Sequence, residues 1–169
     1  AQCKLGDIYC KGELVGKDVD KAEYWYKQAV QQGDKQAMWN LAGMYWTEQE
    51  HYPKGQMEEA VKLYEEIDDK YSNYNLFEMY ANGYGVERSA EKTVKYLKEA
   101  AKLGHSKAQF LLAAEYRSGE FLEKNLDEAV KWYKAAIERG NRDAMYDLAM
   151  MYLADGEIPN APLGYAAQL

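Results

Sequence analysis

The sequence predicts an all-α fold, an α-solenoid of stacked antiparallel helix pairs. Three observations predict it. First, Leu recurs at Leu5, Leu41, Leu76, Leu112 and Leu148, at spacings of 36, 35, 36 and 36. A Tyr follows each Leu by four residues (Tyr9, Tyr45, Tyr80, Tyr116, Tyr152), and a small residue precedes it by four (Ala1, Ala37, Ser72, Ala108, Ala144). Positions four apart share a helix face, so small–Leu–Tyr is the apolar stripe of a first helix, A, in every repeat. Second, Ala22, Ala60, Thr93, Ala129 and Ala166 begin another stripe. Three residues on stand Trp25, Leu63, Tyr96, Trp132 and Leu169, and seven on stand Ala29, Ile67, Ala100 and Ala136. This is helix B. Third, glycines fall where the pairs need punctuation: Gly12, Gly83 and Gly119 after helix A, and Gly33, Gly104 and Gly140 after helix B.

Each element follows from these columns. Small residues let two helices approach closely, and the facing Trp, Tyr and Leu fill the space between them. One pair cannot bury both faces alone, so the pairs stack. The repeats run 1–34, 35–71, 72–104 and 105–140, with a partial fifth and a tail over 141–169. Asp18, Gln56, Ser89 and Asn125 stand four before the helix-B column, and three of these four are good N-caps. The tail carries Pro159 and Pro162, yet Ala166 and Leu169 fall on helix-B columns; a truncated helix B and a loose end fit equally. The second repeat is irregular. Its loop from Thr47 to Gln56, with Gln49-Glu50-His51-Tyr52-Pro53, is two residues longer than the others, and Tyr71 stands in the place of the stop glycine. A bent stack is expected there.

Composition excludes several function classes. The 169 residues carry a net charge of -7, with Lys and Arg scattered along polar helix faces. That argues against nucleic-acid binding, which needs clustered cations. No apolar run spans a bilayer, so no membrane insertion is expected. Cys3 and Cys10 are seven residues apart on one helix, about 10 Å along its axis at 1.5 Å per residue, too far for a mutual disulfide. A reducing, cytoplasmic setting is favoured; a periplasmic or secreted one requires a signal peptide already removed.

The helix-A segments read AQCKLGDIY, AMWNLAGMY, SNYNLFEMY, AQFLLAAEY and AMYDLAMMY. A GxGV turn is intact only as Gly83-Tyr84-Gly85-Val86, and helix B is clearest at Lys21-Ala22-Glu23-Tyr24-Trp25-Tyr26 and Glu128-Ala129-Val130-Lys131-Trp132-Tyr133. Over nearly the whole chain this resembles the Sel1-like repeats, relatives of the tetratricopeptide repeat. The resemblance implies a right-handed superhelix that holds other proteins. Some relatives are adaptors, and some are bacterial proteins that engage host or envelope partners. A cysteine-rich branch has been described as binding β-lactams; this chain lacks its paired cysteines, so that activity is not carried over.

Little in the sequence suggests catalysis. Two histidines, His51 and His105, lack neighbours at metal-ligand spacing and read as solvated loop residues. Ser89-Ala90-Glu91-Lys92 fits S-x-x-K, but Ser89 stands in the cap column and no partner motif accompanies it. No cofactor or metal is implied.

The informative column lies two before each Leu: Cys3, Trp39, Tyr74, Phe110 and Tyr146. At 100° per residue it sits about 160° from the stripe centre, on the opposite face of helix A. Two readings stand side by side: an aromatic ladder lining a concave groove, or rings packed between neighbouring helices A, where the family often keeps an aromatic. Beside the column stand Trp46, Glu78, Arg117 and Met150. The expectation is a non-catalytic scaffold that takes a peptide or partner surface on Trp39, Trp46, Tyr74, Glu78, Phe110, Arg117, Tyr146 and Met150, with Glu78 and Arg117 as polar selectors. The alternatives are an immunity- or inhibitor-type protein that covers a basic toxin or enzyme, and, behind that, a β-lactam-binding hydrolase. Apolar faces on the end repeats would supply a homodimer interface.

Overall fold

The computed structural model describes residues 1–48, 51, 52 and 54–153, excepting the side chains of residues 54 and 55. The sequence features at Gln49, Glu50, Pro53, Pro159, Pro162, Ala166 and Leu169 lie outside the described residues. Among the described residues there are nine helices and no strand. They are α1 (Gln2–Lys11), α2 (Val19–Val30), α3 (Lys35–Thr47), α4 (Lys54–Ile67), α5 (Lys70–Asn82), α6 (Ala90–Lys102), α7 (Ser106–Ser118), α8 (Leu126–Ile137) and α9 (Arg142–Leu153). Odd-numbered helices are the A helices and even-numbered ones the B helices.

The chain groups into two compact units, one of Ala1–Asp68 with Glu78–Ser89, the other of Asp69–Phe77 with the chain from Ala90 on. In the first, α1 packs on α2, α2 on α3, and α3 on α4, while α1 also meets α3. The small columns explain why. Ala22, Ala37 and Ala60 are fully buried, and Leu41 and Tyr45 fill the space beside them. In the second unit α6 packs on α7, α7 on α8, and α8 on α9. Its core holds Ala113, Ala129, Tyr133, Ala136, Ala144, Leu148 and Met151, with a neighbouring cluster of Tyr74, Leu97, Ala100, Ala101, Ala108 and Leu112. Leu5, in α1, is exposed although its column mates are buried.

The caps satisfy amides that the helix ends leave without partners. Asp18 accepts from Lys21 N and Asn125 from Glu128 N. Before the A helices the acceptors are Asp34, Asp69, His105 and Asn141. A backbone clasp recurs at the loop between helix A and helix B in three of the repeats. The amides of Asp18, Ser89 and Asn125 donate to the carbonyls of Tyr9, Tyr80 and Tyr116.

Several sequence expectations need correction. Gln56, the member of the cap column that is not a good N-cap residue, does not mark the start of α4; the helix begins at Lys54 and Gln56 lies inside it. Tyr71 does not stand at a helix stop but in the first turn of α5. The stop is Asp68, in the left-handed region at φ 47. A polar side chain of this kind tolerates that conformation better than most. Nor is His105 a solvated loop residue. Its Nδ1 accepts from Ala108 N at 3.2 Å as the N-cap of α7, and its ring stacks on Tyr74 at 4.3 Å. His51 lies in the loop as read, where Nε2 meets Asp20 at 3.0 Å. Its neighbour Tyr52 is buried, with its ring edge-on to Tyr45 at 4.9 Å and its hydroxyl donating to Val19 O. The two cysteines are free thiols.

Candidate functional site

The column of rings on helix A is built by the helix-B tyrosine facing it. Trp39 of α3 meets Tyr64 of α4 edge-on, centroids 5.2 Å apart. Phe110 of α7 meets Tyr133 of α8 at 6.0 Å. Both outer rings are half-buried, and both supporting tyrosines are buried. Tyr74 differs: it is buried, stacked on His105, with Lys107 Nζ 5.3 Å from its ring centre. Tyr146 and Met150 of α9 are exposed, at 66% and 42%. Trp46 is half-buried, edge-on to Tyr84 at 5.2 Å. Glu78 and Arg117 are half-buried.

The supporting tyrosines were not singled out as site residues by sequence, although Tyr26 and Tyr133 stand in the helix-B motif. The signal was present: Tyr26, Tyr64 and Tyr133 each stand four after the helix-B Ala. Their hydroxyls organise two grooves built from the same columns. In the first unit, Asp7 Oδ1 accepts from Tyr26 at 2.8 Å and from Asn40 Nδ2 at 2.7 Å. Gly6 makes room, since a Cβ there would lie 2.5 Å from the Tyr26 ring. Asp7, Cys10, Tyr26, Trp39, Asn40 and Met44 help line a cavity of about 500 Å³. In the second unit, Tyr133 donates to Asp147 Oδ2 at 3.3 Å. Here Ala114, Arg117, Ser118, Lys124, Tyr133 and Asp147 line about 440 Å³. Ala114, Arg117, Tyr133 and Asp147 occupy the columns of Asp7, Cys10, Tyr26 and Asn40. The frame is common, but the carboxylate has moved to the later A helix and an arginine stands across from it.

Burial sets the ionisation of these tyrosines. It pushes Tyr26, Tyr45 and Tyr52 well above the ordinary tyrosine range, with neighbouring carboxylates adding to the effect. Tyr133 is pushed up to about 12, chiefly by burial and then by the charge of Asp147, against a lowering from Arg117. Its folded value therefore lies above its ordinary 10.0. The stability that the neutral hydroxyl contributes is fully present below pH 10 and is lost as pH rises through about 12. Thermal melts should accordingly fall more steeply between these limits in the wild type than in Tyr133→Phe; parallel curves would contradict the assignment.

The repeat is also recognisable by comparison. The Sel1 repeat model matches residues 1–34, 35–66, 70–105, 106–141 and 142–165. The chain belongs to the Sel1 repeat family. A Sel1 repeat protein from Oxalobacter formigenes is similar over 99% of this chain and 69% of its own, at 26% identity and a TM-score of 0.77. A protective antigen of uropathogenic Escherichia coli with an SLR fold is 29% identical, with a TM-score of 0.76 over 89% of this chain. This chain spans only 32% of that antigen. Helicobacter pylori cysteine rich protein B shares the fold at 23% identity and a TM-score of 0.58, covering 81% of this chain and 99% of its own. Among the described residues of this Sel1 repeat protein, no cluster of His, Cys, Asp or Glu could hold a metal ion. No described helix is long and apolar enough to cross a membrane.

Proposed function

We propose that this Sel1 repeat protein is a non-catalytic interaction module that takes a peptide or partner surface on the ring-bearing faces of its A helices. The observation that supports it is the support given to the rings. Trp39 and Phe110 are each held from one side by a buried tyrosine and remain half open, while Tyr146 on the same column is exposed. A ring fixed before binding loses little side-chain entropy when a partner covers it, and Trp and Tyr are the residues that most often anchor interfaces. The polar selectors differ between units: Asp7 and Asn40 in one groove, Arg117 and Asp147 in the other. Ser89 fits the non-catalytic reading, because it directly precedes α6 in the cap position and its amide closes the backbone clasp.

Tyr74 is unsuited to the test, since it is a buried part of the core and its loss would perturb the fold. Trp39→Leu, Phe110→Leu and Tyr146→Ser together keep apolar volume where the rings are packed. A purified partner captured by the wild type should bind this variant about 30-fold more weakly, roughly 2 kcal/mol, with circular dichroism unchanged. Equal affinity in a folded variant would overturn the proposal.

A further inference from the structure

The two grooves differ in how their carboxylates are answered. Among the residues lining the first, Asp7 is the carboxylate and Lys11 the cation. Asp7 is half-buried, whereas Lys11 is exposed and forms no ion pair among the described residues. The charge held inside this groove is therefore negative, and that of Lys11 is screened by water. In the second groove Asp147 shares the lining with two cations, Arg117 and Lys124. Cys10, which carries no positive charge, stands in the column of Arg117, and Lys11 in that of Ser118. Lys17, in the column of Lys124, is taken by Glu48 at 2.8 Å.

The hydrogen bonds around Asp7 run one way. A carboxylate only accepts, so Tyr26 gives its hydroxyl hydrogen and Asn40 an Nδ2 hydrogen to Asp7 Oδ1. Asn40 Nδ2 also meets Cys3 Sγ at 3.7 Å, which uses its second hydrogen. The Asn40 carbonyl then faces Gln36, whose Nε2 donates to it at 2.8 Å. The two donors fill the lone-pair sites of Oδ1. Among the described residues, Asp7 Oδ2 and Gln36 Oε1 accept from no group. The groove thus offers a ligand acceptor oxygens, one of them charged.

The walls select what can reach that oxygen. Trp39 and Met44 bring apolar surface to the cavity, and Gly43 between them in sequence contributes no side chain. A run of methylenes suits such walls while its charged head reaches a polar group beyond them. Because Oδ1 is already filled, the two-point match that favours a guanidinium is lost. A compact ammonium needs only one oxygen.

We propose that this groove receives a lysine side chain of a partner protein, its ammonium against Asp7 Oδ2 and its methylenes along Trp39 and Met44. The inference rests on the reading of the A-helix faces as an interaction surface, and names what the first unit's part of that surface takes. A partner that covered Asp7 without a cation would leave an unpaired charge out of water, which is strongly unfavourable. Lysine brings the positive charge that the second groove carries in its own Arg117 and Lys124.

The test uses the full chain at neutral pH and constant ionic strength. Lysine capped as its N-acetyl methylamide is titrated while the side-chain amide resonances of Asn40 are followed, with equally capped norleucine, arginine and glutamate in parallel. Capped lysine should shift these resonances saturably. Norleucine, which has the methylenes without the charge, and glutamate should shift them weakly, and arginine should bind less tightly than lysine. Asp7→Asn keeps an Oδ1 for Tyr26 and Asn40 but sets a donor where Oδ2 was; it should weaken capped lysine about tenfold or more. Glu58→Gln, which removes the same charge from an exposed position of α4, should change it less than about twofold, as expected for screened surface charge. Equal responses to lysine and norleucine, tighter binding of arginine than of lysine, or equal losses in the two variants would overturn the proposal. The comparisons among capped residues need no variant, so they decide even where Asp7→Asn fails to fold. They need no partner either. Their failure, with partner binding still lost in the ring variant, would remove the lysine pocket alone; saturable lysine binding, with partner affinity unchanged in the ring variant, would remove the reading of the rings alone.

Discussion

Gly85→Ala should cost about 3 kcal/mol or more, a large share of a domain's usual 5–15 kcal/mol or so. Gly85 is in the left-handed region at φ 69, which a side chain disfavours by roughly 1–2 kcal/mol. The new Cβ would also overlap Met57 Cβ and lie 2.9 Å from the Met57 carbonyl carbon. That obstacle is the backbone of α4, not the end of a side chain that can swing away. Overpacking of this kind adds about 1–3 kcal/mol. Gly33→Ala separates the two causes, because Gly33 has φ 75 and open space around the position of its Cβ. It should cost only the backbone part. Denaturant melts of the two variants report the difference, and equal losses would refute the contact. The contact also explains why the GxGV turn is intact here. Gly85 sits against Met57, and the adjacent Tyr84 packs edge-on against Trp46.

Tyr45→Ala should cost about 3–5 kcal/mol, the range for deleting a buried aromatic ring. Tyr45 is fully buried, and its ring meets Tyr52 edge-on. Its hydroxyl donates to Glu23 at 2.9 Å and lies 3.4 Å from Glu59. Both carboxylates also face Lys27, at 2.7 and 3.8 Å. Loss of the hydroxyl alone therefore leaves each with a cation. Tyr45→Phe should cost only about 1 kcal/mol. Equal losses in the two variants would place the stability in the polar cluster and not in the ring.

The columns that define the stripes were legible in sequence because a helix face repeats regardless of its neighbours. Ala37, Leu41 and Tyr45 could be assigned to the core from spacing alone, and the structure buries all three. Counting fails where spacing changes. After the longer loop, α4 starts at Lys54 and stops at Asp68, so the column rule misplaces both Gln56 and Tyr71. His105 was misread for a chemical reason: imidazole seldom caps a helix, and the Asp or Asn of the other A helices is absent there. The grooves were harder still. Asp7 and Asn40 look like ordinary polar residues on separate helices until Tyr26 brings them to one point. Trp39 and Phe110 have equivalent settings, yet Tyr74 on the same column is buried against His105. A difference of that sort comes from a residue thirty-one positions away, which no local pattern reports.

Within each unit a helix packs mainly on the one before it and the one after it. This has a kinetic consequence. Contacts of short sequence separation ask for the closure of only small loops, so the search that precedes them is brief. Any adjacent hairpin can serve as the nucleus, and growth spreads to its neighbours in turn. Refolding of each unit should therefore be fast for a chain of its length, as expected where contacts are mostly between neighbouring helices.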